Sequence, residues 1–298
     1  MTQQFGPFEL IEPVPAPRKP RLVMALQPWI DVGSVGSMAL TFMEEALGAR
    51  PLAQLNRPGV FYDFTRYRPV LRRIEGQRHV TVPNTIMHYA EGKDGRDWLL
   101  LHTLEPHSHG EDFVEGLITL MKRLEVSEYL MIGSMYAPVP HTRPPLVSGG
   151  ASSETMRERL RLGGVRESGY EGPTTILARL GTSAPALAIE TATMIVQLPA
   201  YAQLERDYRG LGHMLGLLNG FYGLSLDPAP LAEQVSEETR VIEQTVDENP
   251  QLKAWIGELE RMYDADHDKS PEEGPPAAPL SPELESFLRD VEGRLGEN

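Results

Sequence analysis

Five short segments hold side chains able to do chemistry. The stretch GSMYAPVPHTRPPLVSGG, Gly133 to Gly150, sets His141, Thr142 and Arg143 between Pro138 and Pro140 on one side and Pro144 and Pro145 on the other. Proline fixes φ and lowers the entropy lost on ordering, so the polar side chains are presented at little cost. An imidazole can move a proton near neutral pH. A guanidinium grips a carboxylate or phosphate through two parallel bonds. Such a loop suits a bound ligand, and it suits equally a contact with a neighbouring loop or subunit.

The other four segments offer narrower chemistry. DVGSVGS, Asp31 to Ser37, places Asp31 and Gly33 between a strand and a helix. Free backbone N–H groups at a helix start can bind an anion, but a tight turn has the same composition. FYDFTRYRPV holds Asp63 and Arg68. If that segment is extended, Asp63 shares a face with Thr65 and Tyr67, opposite Arg66 and Arg68. Its arginines suit an anion or a neighbouring carboxylate. YEGPTTIL holds Glu171, Gly172 and Thr174. Pro173 fits the first position of a helix, with Glu171 facing His141 and Arg143 across a pocket or joining a local ion pair. EPHSHGEDF offers His107, His109, Glu111 and Asp112. Two histidines two apart can share a cation, but no second pair matches them in sequence, so a loop capping the next helix is the better reading. No metal and no cofactor is expected.

No complete catalytic set follows from these segments. G-x-S-x-G, H-E-x-x-H, G-x-G-x-x-G and a Walker lysine are all missing. There is no cysteine, which removes disulfides, thiolate metal sites and cysteine nucleophiles.

The elements that must hold these loops alternate. RLVMAL (21–26) reads as a first strand after an extended arm over residues 1–20, and VGSMALTFMEEAL as a helix with its apolar residues at helical spacing. VLRRIEGQRHVTV and TIMHYAEGKDGRDWLLLH read as β-hairpins, the second turning at Asp-Gly. GEDFVEGLITLMKRLEV reads as a helix, EYLMIGSMYA as a buried strand, and SSETMRERLRLGG as a helix with a capped start. PTTILARLG reads as a short helix, PALAIETA as a strand, and YAQLERDYRGLGHMLGLLNGFYG as a helix. This order predicts an α/β core over residues 21–226 with a central mixed sheet flanked by helices.

Residues 227–268 read as a helical hairpin broken near Asn249-Pro250. Leu231, Val235, Val241, Ile242 and Val246 would face Leu252, Trp255, Ile256, Leu259 and Met262. A Pro-rich linker and a short terminal helix take up residues 269–298.

The chain has 298 residues, a net charge of −14 and a pI near 5.1, with 41% hydrophobic residues. That charge repels nucleic acid over most of the surface. The apolar stretch around 184–200 contains Glu190 and Gln197 and is too polar to span a bilayer. MTQQFGPFELIEP lacks the features of a signal peptide. A soluble cytoplasmic protein is expected.

Taken in order, QPWIDVGSVGS, YDFTRYRP, LLLHTLEP, GSMYAPVPHTRP and YEGPTTIL resemble the conserved segments of the PAC2 family, named for the proteasome assembly chaperone 2. The resemblance covers about residues 21–264, and DENPQLKAWIGELERMYD looks like its bacterial branch. Pro138 stands where many relatives carry aspartate, so no carboxylate role is carried over there. The resemblance implies a phosphorylase/hydrolase-like fold and self-association, often as a homotrimer, with relatives that assist proteasome assembly. It implies that Asp31, Gly33, Asp63, Arg68, His141, Thr142, Arg143, Glu171, Gly172 and Thr174 form the shared core of a pocket or interface.

The first expectation is a non-enzymatic assembly chaperone or scaffold acting through oligomeric surfaces on itself or on another protein complex. The alternative is a phosphorylase- or nucleosidase-like enzyme, or an anion sensor, in which Arg68 and Arg143 hold the anion and His141 or Glu171 moves protons. Recruitment to a membrane through the Pro-rich tail has little support in the sequence.

Overall fold

The computed structural model describes residues 4–267; the Pro-rich linker and terminal helix expected over 269–298 lie outside the described residues. Strand β3 (Arg21–Gln27) shows how the sequence makes the core. All but its last residue are buried. Leu22, Met24 and Leu26 enter one apolar cluster, while Val23 and Ala25 enter another. A two-residue alternation of faces within an unbroken apolar run makes a strand covered by helices on both sides.

Ten strands form one sheet. They are β1 (Gln4–Phe5), β2 (Phe8–Leu10), β3, β4 (Arg50–Leu55), β7 (Ile86–Ala90), β8 (Trp98–Leu104), β9 (Glu128–Ala137), β10 (Val147–Ala151), β11 (Arg166–Glu167) and β12 (Glu190–Pro199). Their order is β1-β2-β4-β7-β8-β3-β9-β12-β10-β11. The centre, β8-β3-β9-β12, is parallel. β7 pairs with β8, and β10 with β12, in antiparallel fashion. The mixed sheet follows the expectation. Strands β5 (Val70–Ile74) and β6 (Gln77–Thr81) form a separate two-stranded sheet.

Helices cover both faces. α1 (Val35–Leu47), α3 (Glu154–Leu162) and α5 (Tyr208–Tyr222) contribute to one cluster, and α2 (Gly110–Arg123) and α4 (Ala178–Ser183) to the other. α2 buries Phe113, Val114, Leu117, Leu120 and Met121, spaced as an amphipathic helix requires. α6 (Ala232–Asp247) and α7 (Pro250–His267) make the helical hairpin.

Several local expectations are corrected. Within the extended arm, residues 4–10 join the sheet: β2 pairs with β4, and Phe8 and Leu10 are buried. Two apolar residues are too few to show a period in the sequence. Pro173 does not open a helix, because α4 begins at Ala178. PALAIETA is not one strand: a 3₁₀ turn holds Ala184–Leu187 and β12 starts at Glu190, where Pro185 no longer interrupts the ladder. α5 begins at Tyr208 rather than at Tyr201, with Asp207 capping Gly210. In the hairpin, Val246, Ile256 and Leu259 are buried, but Val241 and Met262 are exposed.

Candidate functional site

Strands β8, β3, β9 and β12 run in one direction, so the loops that follow them leave the sheet at one edge. In open α/β sheets that carboxyl edge is where sites form. The loop after β9 holds His141, Thr142 and Arg143. The loop after β3 holds Asp31 and Gly33, and the segment after β12 holds Tyr201.

His141 is buried. Its backbone N–H donates to the Tyr201 hydroxyl at 2.7 Å, and its Nδ1 lies 2.7 Å from the same oxygen. The hydroxyl oxygen thus holds both the backbone and the ring of His141. Burial and then the neighbouring Arg209 lower the His141 pKa, favouring the neutral ring.

The next two side chains turn to the chain's own hairpin. Thr142 Oγ1 donates to Glu260. Arg143 makes a bidentate pair with Asp264, Nε and Nη2 each at 2.8 Å, and reaches Glu260 at 3.4 Å. Arg209 donates to the Arg143 carbonyl, and the Tyr263 hydroxyl to that of Pro144 at 3.1 Å. The Tyr201 ring meets Trp255 of α7 edge-on at 5.6 Å. The rigid loop is a socket for α7. The cavity beside it is about 20 Å³, lined by His141, Asp207, Arg209 and Glu238 among others, which is room for about one water.

Asp31 and Gly33 brace this arrangement from below. Asp31 Oδ1 accepts from the N–H of Gly36 at 2.6 Å and of Ser37 at 3.2 Å. The start of α1, open in sequence to a bound anion or a tight turn, is thus filled by the chain's own carboxylate. Burial raises the Asp31 pKa against these bonds. Gly33 has φ +59° and lies so near the start of α5 that a Cβ there would come within 2.8 Å of the Asp207 side chain. The Asp207 N–H donates to the Gly33 carbonyl at 2.8 Å. The Ser134 hydroxyl of β9 donates to the Val32 carbonyl at 2.5 Å. Burial also raises Asp207, and it pushes Glu238 up to about 7 where it accepts from the Tyr208 and Arg209 N–H groups.

The remaining candidates lie elsewhere. The segment at Asp63 is a turn, not extended: Asp63 Oδ1 accepts from the Thr65 N–H and hydroxyl, and the Asp63 N–H donates to His107 Nδ1 at 3.2 Å. His107 packs on Tyr67 at 4.5 Å between ring centres. His109 pairs with Asp112 and meets the Phe61 ring edge-on, so the two histidines turn to different partners. Arg68, Glu171, Gly172 and Thr174 are exposed. The carboxylates that meet Arg143 are Asp264 and Glu260, not Glu171. Sequence reasoning missed Tyr201, Arg209, Glu238, Glu260 and Asp264 as loop partners, and no local pattern marks them.

The PAC2 family matches the chain over residues 25–246. The chain belongs to the PAC2 family. Its fold is similar to that of a protein of unknown function from Corynebacterium glutamicum, 21% identical, TM-score 0.76, covering 88% of this chain and 98% of that one. It is also similar to an unknown-function protein of Mycobacterium tuberculosis, 26% identical, TM-score 0.75, covering 89% and 91%. A proteasome-assembly chaperone homologue of Mycobacterium tuberculosis is 25% identical with TM-score 0.69, covering 79% and 99%. A search of the curated proteins finds no match. No helix among the described residues of this PAC2 protein is long and apolar enough to cross a membrane.

Proposed function

We propose that this chain is a non-enzymatic assembly chaperone or scaffold of the PAC2 family, acting in the cytoplasm as a self-associating protein, a homotrimer by resemblance. The observation that carries the reading is the β5–β6 hairpin. Every residue of both strands is exposed. Leu71 and Val80 stand opposite each other on one face, 58% and 62% exposed, and Val70 and Ile74 lie on the other. A lone two-stranded hairpin is marginal in water, and apolar residues clustered on one are typical of a surface that another protein covers. Arg66, Arg68, Arg72, Arg73 and Arg78 crowd the same segment of a chain whose net charge is −14. That contrast suits an acidic protein surface, such as a second copy.

The candidate loop residues then divide by role. Asp31, Gly33, His141, Thr142 and Arg143 fasten the carboxyl-edge loops and α7. Asp63, Arg68, Glu171, Gly172 and Thr174 belong to outward-facing loops, Arg68 leading directly into the hairpin. The water-sized cavity, the occupied Nδ1 of His141 and the saturated Arg143 give the enzyme or anion-sensor reading no support.

Native mass spectrometry of the untagged protein tests the proposal. The wild type should appear as a multiple of the 33.2 kDa chain, and Leu71→Asp with Val80→Asp should release monomer that keeps its circular dichroism. The chaperone role is read separately, by whether the chain speeds the assembly of purified proteasome α and β subunits. An oligomer untouched by both substitutions overturns the hairpin as the interface. No effect on assembly, with the oligomer intact, overturns the chaperone role.

A further inference from the structure

His88, His102 and Glu44 come from three separate elements and converge on one point. The β7–β8 hairpin sets the first two: Ile86 pairs with His102 and His88 with Leu100. The histidines are therefore diagonal neighbours on one face of the sheet, within reach of each other's side chains. That face is the one α1 covers, and Glu44 projects from α1. Nε2 of His102 lies 2.9 Å from Glu44 Oε1. Nδ1 of His88 lies 2.7 Å from the same oxygen, yet it is off the line of a hydrogen bond and is a buried nitrogen with no hydrogen-bond partner. The two rings stand edge to face at 6.0 Å.

We propose that Glu44, His88 and His102 form a binding site for a divalent first-row ion of the Zn²⁺ type. Two imidazoles and a carboxylate are the ligand set of a three-residue zinc site whose fourth position takes water. All three ligand atoms lie within 4.8 Å of one another. Bonds of about 2.0–2.1 Å in a tetrahedron place ligand atoms about 3.3 Å apart. The observed 2.7 and 2.9 Å spacings fall short of that value by about half an ångström. Hard ions such as Mg²⁺ prefer all-oxygen shells, so the nitrogen donors select against them. The side chains of Glu44, His88 and His102 are 17%, 20% and 24% exposed, which leaves an entry path and an open position for water. The ion ties α1 to the β7–β8 hairpin through three bonds where one hydrogen bond, from His102 to Glu44, stands without it. This site is independent of the loop at His141 and of the chaperone reading.

Co²⁺ reports such a site through its visible absorption. The full-length, untagged, chelator-stripped protein should develop tetrahedral Co²⁺ bands that saturate at one equivalent and vanish when Zn²⁺ is added. Loss of second-sphere partners alone weakens metal sites roughly 10–100-fold. His88→Ala and His102→Ala, which delete ligands, should each weaken binding at least that much, and Glu44→Gln should do so with the shape kept. The double variant His107→Ala/His109→Ala should bind as the wild type does. If an alanine variant fails to fold, histidine ¹⁵N shifts in the wild-type protein decide: Zn²⁺ should move two ring signals at one equivalent. Absence of saturable Co²⁺ bands, or binding that survives in folded His88→Ala/His102→Ala protein, overturns the site and leaves a hydrogen-bonded triad.

Discussion

Replacing Tyr201 by Phe deletes one oxygen atom and leaves the ring that packs on Trp255. That oxygen accepts the His141 backbone N–H and is hydrogen-bonded to His141 Nδ1, both at 2.7 Å. Each bond contributes a net of about 0.5–1.5 kcal/mol, and a buried N–H left without a partner costs about 1–3 kcal/mol. His141 is buried, and the cavity beside it admits about one water, which can recover part of the loss. The expected cost of Tyr201→Phe is therefore about 2 kcal/mol. Denaturant unfolding should show a lower midpoint with an unchanged slope. Hydrogen exchange should localise the effect: amides of 138–146 and α7 lose protection, while those of β9 and β12 follow only the global change. If Tyr201→Phe is as stable as the wild type and the loop exchanges no faster, the hydroxyl does not hold the loop, and the socket for α7 is wrongly drawn.

Two further perturbations probe the same framework. Glu238, held up to about 7 by burial against an ordinary value of 4.5, binds a proton in the folded state before the unfolded chain does. Stability therefore falls as pH rises from about 4.5 through 7, and Glu238→Gln should remove that loss. The variant should match the wild type near pH 5 and exceed it by about 2–3 kcal/mol at pH 8, measured by unfolding at both pH values; a difference that does not grow with pH refutes the assignment. Gly133→Ala should be far more damaging, since its Cβ would sit 2.1 Å from the Ile30 carbonyl oxygen. Such an overlap must push β9 from the loop that holds Asp31, at a cost at the high end for single substitutions, about 4 kcal/mol or more. Soluble yield and midpoint together check it, and a well-folded Gly133→Ala protein within 1 kcal/mol of the wild type would refute the close approach.

The sequence by itself determined the strands and helices whose burial repeats along the chain. β3, β9 and α2 carry their apolar periods within a few residues, and local sterics and burial read those periods directly. It also marked the stiff loop at His141 and the β5–β6 hairpin, because prolines and turn residues act on their own backbone. It could not decide what the loop holds. His141 meets Tyr201 sixty residues later, Arg143 meets Asp264 at a separation of 121, and Glu44 meets His102 at 58. Those partners depend on which strands neighbour in the sheet and on where α7 returns. Whether Glu171 faced Arg143 or a local partner was open in sequence for that reason, and the meeting of Glu44, His88 and His102 left no trace there. Side chains far apart in sequence become neighbours only once non-local strand pairing and helix packing bring their elements together, and no local pattern of residues records that geometry.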